Sequence, residues 1–233
     1  MSVFKKLLGQ TAVYGLLTIV ARFINYLLVP IHTAYLAIGS YGVVSDMYSI
    51  VALAMVILTY GMETTFFSFT RKKESLHQTF RTSLTILHIS SPVLILTGFL
   101  FRENIAAALD YPGQSEYIIY MLIILAFDAM SSIPLALLRR EDKVWKFTII
   151  RVSGILISVL LNVYLIVVCP WLIEQGYTGI YNNFYSPDNL IDYIFIANAI
   201  SSIWVYLCIS PLIVKHRFGL DTALAKRILK YTA

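Results

Sequence analysis

The sequence predicts an all-α, polytopic membrane protein, a bundle of six transmembrane helices. Its 233 residues are 58% hydrophobic and 13% charged, with a mean hydropathy of +0.75, whereas soluble domains are about half apolar and a quarter charged. Six long apolar segments and a one-sided distribution of basic residues point the same way. So few charges cannot cover a water-exposed surface, but a bilayer solvates an apolar exterior. The two cysteines lie in apolar runs, which excludes a secreted disulfide framework.

Each predicted helix is long enough to cross a bilayer. Crossing about 30 Å of hydrocarbon at about 1.5 Å per residue takes roughly 20 mostly apolar residues. The first segment exceeds this length, so we expect it to tilt or to project from the bilayer. A cleaved signal peptide is the rival interpretation of that segment, but its apolar run is too long and no A-x-A site follows. The six segments are Leu7 to Ile38, Tyr41 to Phe69, Thr82 to Phe101, Tyr117 to Leu138, Phe147 to Cys169 and Tyr193 to Val214.

The basic residues orient these helices, because short loops rich in Lys and Arg stay in the cytoplasm. Of 18 basic residues, fifteen fall on one side of the predicted bundle and only Arg102 on the other, while Arg22 and Arg151 lie within spans. Both termini are therefore predicted to be cytoplasmic. The fifteen are Lys5, Lys6, Arg71, Lys72, Lys73, Arg81, Arg139, Arg140, Lys143, Lys146, Lys215, Arg217, Lys226, Arg227 and Lys230.

Two segments lie outside the spans. The aromatic-rich outer loop from Trp171 to Leu190 suits the headgroup interface, and a lid is the alternative. Residues 215–233 follow the six-helix lobe of residues 1–214 and form an amphipathic cytoplasmic segment. Its apolar residues Leu220, Leu224 and Ile228 share one helical face, which predicts a helix lying in the inner membrane interface.

The first span carries a polar stripe. Thr11, Tyr14, Thr18, Arg22 and Asn25 are spaced by three or four residues, so they share one face of a helix. A charge at mid-membrane costs roughly 2.5 to 3.5 kcal/mol on insertion scales. We therefore expect this face to meet a water-filled cavity or a carboxylate rather than lipid.

Further charges within spans suggest partners by their depth. Arg22 and Asp128 both lie near the middle of their spans, and Glu63 and Arg151 both lie near the cytoplasmic ends. We expect Arg22 to pair with Asp128 and Glu63 with Arg151, because opposite charges at equal depth lower each other's insertion cost. These four residues are candidates for ion pairing or ion coupling, and structural ion pairs are the alternative.

Several strings resemble a known family. These are Tyr14, Arg22 and Pro30-x-x-Thr33 in the first span, Tyr41-Gly42, YGMETTFFSF from Tyr60 to Phe69, and FDAMSSIPLALLRRED from Phe127 to Asp142. They resemble the polysaccharide-transporter branch of the multidrug/oligosaccharidyl-lipid/polysaccharide flippase superfamily. That branch comprises the O-antigen and exopolysaccharide flippases of bacterial inner membranes.

The resemblance implies a function and a set of site residues. Members have twelve or fourteen helices in two lobes and flip a polyprenyl-pyrophosphate-linked oligosaccharide by alternating access, and this chain resembles the first lobe only. A second lobe or a homodimer would complete the cavity. Arg22 would bind the pyrophosphate, with Tyr14, Thr18 and Asn25 beside it for the glycan. Asp128 and Glu63 would be counter-charges or cation-coupling sites.

The sequence also bears on other function classes. The four histidines are scattered, and no H-E-x-x-H, G-x-S-x-G or cysteine-pair motif occurs, so we expect no enzyme, no metal site and no cofactor. In a membrane protein of this composition the net charge of +5 does not indicate a nucleic-acid partner. A multidrug or cation antiporter of the same superfamily is the alternative transporter, but it would favour acids over Arg22 in its cavity. A non-transporting scaffold or an inactive gene fragment is the alternative outside transport.

Overall fold

The computed structural model describes residues 26, 28–71, 75–177, 185–186 and 189–232, and within these ranges the chain is helical with no strand. Residues 28–35 form α1. The helices that follow are α2 (Ile38–Thr59), α3 (Met62–Arg71), α4 (Leu76–Leu100), α5 (Arg102–Ala108), α6 (Ser115–Arg140), α7 (Val144–Val163), α8 (Cys169–Glu174), α9 (Leu190–His216) and α10 (Thr222–Thr232). A π-helical turn, Tyr164–Val168, joins α7 to α8.

Five stretches of the described chain are long and apolar enough to cross a membrane, and they correspond to the second to sixth predicted spans. They are Gly39–Arg71, Leu76–Leu100, Ser115–Arg140, Val144–Glu174 and Leu190–His216. Most of the first predicted span lies outside the described residues. The all-α, polytopic membrane fold is therefore confirmed.

The two ends of this antiparallel bundle differ in charge. Arg71, Arg139, Lys143 and Lys215 lie at one end, which we call the basic end. The opposite end, where α2, α6 and α9 begin, carries acids that include Glu103, Asp110, Glu116 and Asp192 and is called the acidic end.

The central helix is α6, which contacts α2, α3, α4, α5, α7 and α9 and is mostly buried. Small residues from its middle onward, such as Ala126, Ala129, Ser131 and Ala136, are buried there. Small side chains let neighbouring backbones approach closely in membrane bundles.

The second predicted span is interrupted, which the sequence did not predict. Tyr60 and Gly61 have φ angles of 51° and 62°, and they separate α2 from α3. A left-handed conformation is unfavourable for residues with a Cβ, so Gly61 suits the second position. The break lets α3 pack its own buried face, which includes Met62 and Phe66, onto α4 and α6.

The amphipathic segment after α9 does not lie with its apolar face in the membrane. Leu224 and Ile228 of α10 are 4% and 0% exposed and belong to the main core cluster with residues of α3, α4 and α6. Leu220, predicted to share that face, precedes the helix and is half-exposed. Protein rather than lipid therefore covers the apolar face, which corrects that part of the prediction, while the position of α10 at the inner membrane interface stays a prediction.

Candidate functional site

A cleft of about 500 Å³ opens between α1, α2, α7 and α9, in the part of the bundle nearer the acidic end. Its described lining contains no Asp, Glu, Lys or Arg and combines hydroxyls, one amide, one imidazole and two phenol rings with aliphatic groups. The lining residues are Leu28, Val29, His32, Tyr41, Val44, Ser45, Tyr48, Ser49, Ala52, Ser158, Ile194 and Asn198.

The α2 wall of the cleft follows from helical periodicity. Tyr41, Ser45, Tyr48, Ser49 and Ala52 share one side of this helix, because each lies three or four residues from another member of the set. Ser45, Ser49 and Ala52 are small, so they leave space between the two tyrosine rings and the facing helices. A polar, concave surface results within an otherwise apolar span.

A chain of hydrogen bonds crosses the floor of the cleft. The buried His32 ring places Nε2 3.1 Å from Asn162 Oδ1, and Asn162 Nδ2 donates to the Ser158 carbonyl at 2.8 Å. Since that donation orients the amide, Oδ1 is the acceptor and His32 Nε2 is the donor. The Ser158 hydroxyl then donates to Asn198 Oδ1 at 3.2 Å, and Asn198 Nδ2 donates to the Ile194 carbonyl at 2.9 Å. The network links α1, α7 and α9 without using a charged residue.

Asp128 lies near the middle of α6, beside this network. The Ser202 hydroxyl is next to its carboxylate, and Arg151 of α7 is close enough for its positive charge to act on it. The buried Tyr48 hydroxyl lies near Asp128 and the Asn198 amide, but it makes no well-oriented hydrogen bond to a described residue.

The predicted pairing of Glu63 with Arg151 is wrong. Glu63 Oε1 lies 2.6 Å from Arg139 Nη2, and the Arg139 guanidinium also lies over the Phe67 and Phe147 rings at 5.6 and 5.5 Å. Because the chain breaks before Glu63, α3 presents this carboxylate to the end of α6 instead of to α7. Glu63 thus stabilises a helix contact at the basic end, remote from the cleft.

The four predicted substrate-binding residues, Tyr14, Thr18, Arg22 and Asn25, lie outside the described residues. Their role and the pairing of Arg22 with Asp128 stay predictions.

Sequence reasoning missed the neutral polar network. The predictions for these helices rested on charged residues, whereas the network uses Ser158 and Asn162 on α7 and Asn198 on α9. Ser202 lies one turn after Asn198 on α9, next to Asp128. A signal was present, because each pair is separated by four residues in an otherwise apolar helix. Neutral polar side chains that bond across helices are a common feature of membrane bundles.

The fold and the cleft define a class first: this chain is a multi-pass, helical membrane protein with a polar cleft inside its bundle. A family profile described as "polysaccharide biosynthesis protein" matches residues 35–171, from the end of α1 into α8. The match covers more than half of the chain, so the protein belongs to this family of polysaccharide biosynthesis proteins, consistent with the flippase type that its sequence resembles. No curated protein and no solved structure matches the chain.

Proposed function

We propose that this chain forms one lobe of a transporter that flips a polyprenyl-pyrophosphate-linked glycan across the bacterial inner membrane. The glycan would enter polysaccharide or lipopolysaccharide biosynthesis, and the chain itself would act as a transporter and not as an enzyme. The observation that carries the proposal is the uncharged, polar and aromatic cleft inside a membrane-spanning bundle of this family.

The chemistry of the described lining suits sugar rings. Sugars present many hydroxyls that both donate and accept, and serine hydroxyls and the Asn198 amide offer the complementary groups. The Tyr41, Tyr48 and His32 rings supply flat apolar faces with polar edges, which can pack against sugar C–H groups. A drug cation would instead favour an acidic lining, and the described lining has no acid. We therefore favour the glycan over the multidrug alternative.

The size of the cleft supports a shared cavity. A volume of about 500 Å³ is typical of sites for one drug-sized molecule, in a range of roughly 300 to 1,000 Å³. A lipid-linked oligosaccharide is larger, so the cleft would hold one part of it. A second lobe, or a second copy of this chain, would enclose the remainder.

Arg22 is the proposed ligand of the pyrophosphate. Arg22 and Asn25 precede Val29 and His32 by seven residues each, a spacing that keeps residues on one side of a helix. Because Val29 and His32 line the cleft, this spacing supports the prediction that Arg22, with Asn25, Thr18 and Tyr14, faces the same cavity. Arginine can donate two parallel hydrogen bonds to a phosphate, which lysine cannot.

Asp128 is the proposed counter-charge or coupling residue. The Ser202 hydroxyl and the positive charge of Arg151 lie in its surroundings, and intramembrane acids commonly mark ion or proton pathways in transporters. We place the basic end in the cytoplasm, with both termini there, because of the distribution of Lys and Arg.

The test is restoration of surface polysaccharide in the source bacterium after this gene has been deleted and each variant has been put back in its place. The gene is expressed from its native locus, so that any second lobe or partner is present. Arg22→Ala should abolish export and Arg22→Lys should weaken it, because lysine keeps the charge and loses the bidentate geometry. Asn198→Leu should also reduce export, since it removes a polar group of the cleft.

Controls separate function from folding. Ser210→Ala alters a hydroxyl on the same helix α9 that, among the described residues, bonds only to the Leu207 carbonyl, and it should leave export unchanged. All variants must reach the membrane at the level of the unsubstituted protein. Export at the normal rate by both Arg22→Ala and Asn198→Leu would contradict the proposal and favour the scaffold alternative.

A further inference from the structure

A second cavity lies at the basic end, where α4 begins and the α9–α10 linker crosses it. Its volume is about 520 Å³. It is lined by Ser75, His77, Gln78, Arg81, Thr82, Gly219, Leu220 and Asp221. The apolar stretch of α4 begins at Leu76, so a bilayer crossed by this helix would bring lipid headgroups close to the cavity.

The linker that forms one wall is held in place by α4. Arg81 Nη2 donates to the Phe218 carbonyl at 2.8 Å, and Gly219 N donates to Thr85 Oγ1 at 3.0 Å. The Asp221 backbone N–H donates to Thr82 Oγ1 at 3.3 Å. These bonds join the two walls, so the cavity is a formed site and not a gap between loose segments.

Asp221, the acidic residue among the described lining residues, already accepts hydrogen bonds from its neighbours. Asp221 Oδ1 accepts from the Leu224 backbone N–H at 2.9 Å, at the start of α10, and Oδ2 accepts from the Gln78 side chain. Both oxygens therefore have donors, and the N-terminal end of α10 stabilises the negative charge.

Arg81, the positively charged residue of the lining, has by contrast no anionic partner among the described residues. Among the described residues no carboxylate lies within 4.0 Å of Arg81. Its Nε is buried and has no hydrogen-bond acceptor in the described chain. The guanidinium packs directly on Gly219, where an added Cβ would come within 2.6 Å of Nη2. The neighbouring His77 ring adds a second nitrogen-bearing group to the cavity.

We propose that this cavity binds a phosphate group, with the Arg81 guanidinium as its main ligand. The phosphate could belong to the headgroup of an anionic phospholipid or to a soluble phosphate, since the recognition chemistry is the same. The inference concerns the basic end of the bundle, so it is independent of the glycan cleft. Arginine is favoured at such sites because its N–H groups match the geometry of phosphate oxygens.

The experiment measures binding to the purified full chain in neutral detergent. One arm adds phosphatidylglycerol, with phosphatidylcholine as the uncharged comparison, and the other adds inorganic phosphate, with chloride at equal ionic strength. The readouts are lipid retention in native mass spectrometry and the shift of the thermal unfolding midpoint. A lipid site predicts selective retention of phosphatidylglycerol, whereas a site for soluble phosphate predicts a midpoint shift with inorganic phosphate alone.

Three variants decide the assignment. Arg81→Gln should weaken binding about tenfold, the loss expected for one charge-assisted hydrogen bond. Gly219→Ala keeps every charge but displaces the guanidinium, so it should weaken binding as well and serves where Arg81→Gln does not fold. Lys215→Gln removes one exposed positive charge from the same end outside the cavity and should leave binding unchanged.

Two results would overturn the proposal. Equal weakening by Arg81→Gln and Lys215→Gln would mean that net charge alone attracts the anion. Equal response to phosphatidylglycerol and phosphatidylcholine, together with no response to inorganic phosphate, would mean that the cavity has no phosphate site.

Discussion

Replacing Gly154 by alanine tests how closely α7 and α9 pack. A Cβ at this position would lie 2.6 Å from Val205 Cγ2 and 3.3 Å from Ser201 Oγ, whereas carbon atoms pack best at about 3.5 to 4.0 Å. Val205 is 4% exposed and β-branched, so it cannot easily rotate away in a helix. The added methyl must therefore push the two helices apart.

The expected cost comes from two opposing terms. Overpacking a core costs about 1 to 3 kcal/mol, and replacing glycine by alanine within a helix returns roughly 0.5 to 1 kcal/mol. Gly42→Ala is the matched control, because Gly42 lies within helix α2 and a Cβ there meets no described residue within 4 Å. Since both variants share the helix-propensity term, the difference between them isolates the overpacking.

The assay is thermal unfolding of the purified protein in detergent. At roughly 2 to 4 °C per kcal/mol for a chain of this size, Gly154→Ala should unfold about 2 to 12 °C below Gly42→Ala. Spreading α7 from α9 should also lengthen the nearby bond between Ser158 and Asn198, and glycan export should fall if that bond shapes the cleft. An unfolding midpoint for Gly154→Ala equal to or above that of Gly42→Ala would refute the close packing.

A double-mutant cycle with Glu63→Gln and Arg139→Gln should give a coupling free energy of about 0.2 to 1 kcal/mol, which is small because both side chains are partly exposed. Coupling of Glu63 to Arg151 instead would show that α3 is oriented differently. A cysteine at Ile228, which is 0% exposed, should resist a membrane-impermeant maleimide in purified protein, while a cysteine at the 44% exposed Leu229 should react. Rapid labelling at both positions would mean that α10 does not pack on the bundle. Alkaline phosphatase fused in the loop between α6 and α7 should be inactive, because we place the basic end in the cytoplasm. The same enzyme fused between α5 and α6 should be active. The reverse pattern would mean that the predicted orientation is wrong.

The sequence alone determined the class of protein and the position of five spans. Bilayer thickness sets a minimum length for a crossing helix, so a long apolar run is a direct signal that needs no knowledge of its neighbours. The family resemblance was also visible in local strings of the sequence, and the family profile that matches residues 35–171 confirms it.

Only the tertiary structure decided which side chains meet. Position along a span gives the depth of Glu63 and Arg151, but it does not give the direction in which each points around its helix axis. The break at Tyr60 and Gly61 changes that direction, so that the Glu63 carboxylate pairs with the Arg139 guanidinium. The same limit applies to α10, because lipid-facing and protein-facing apolar helices show the same sequence pattern. In the structure, Ile228 is covered by protein. The depth of a residue in the membrane depends on its own helix alone. A contact between two side chains depends on the rotation and spacing of two helices, and the close packing of the whole bundle determines both.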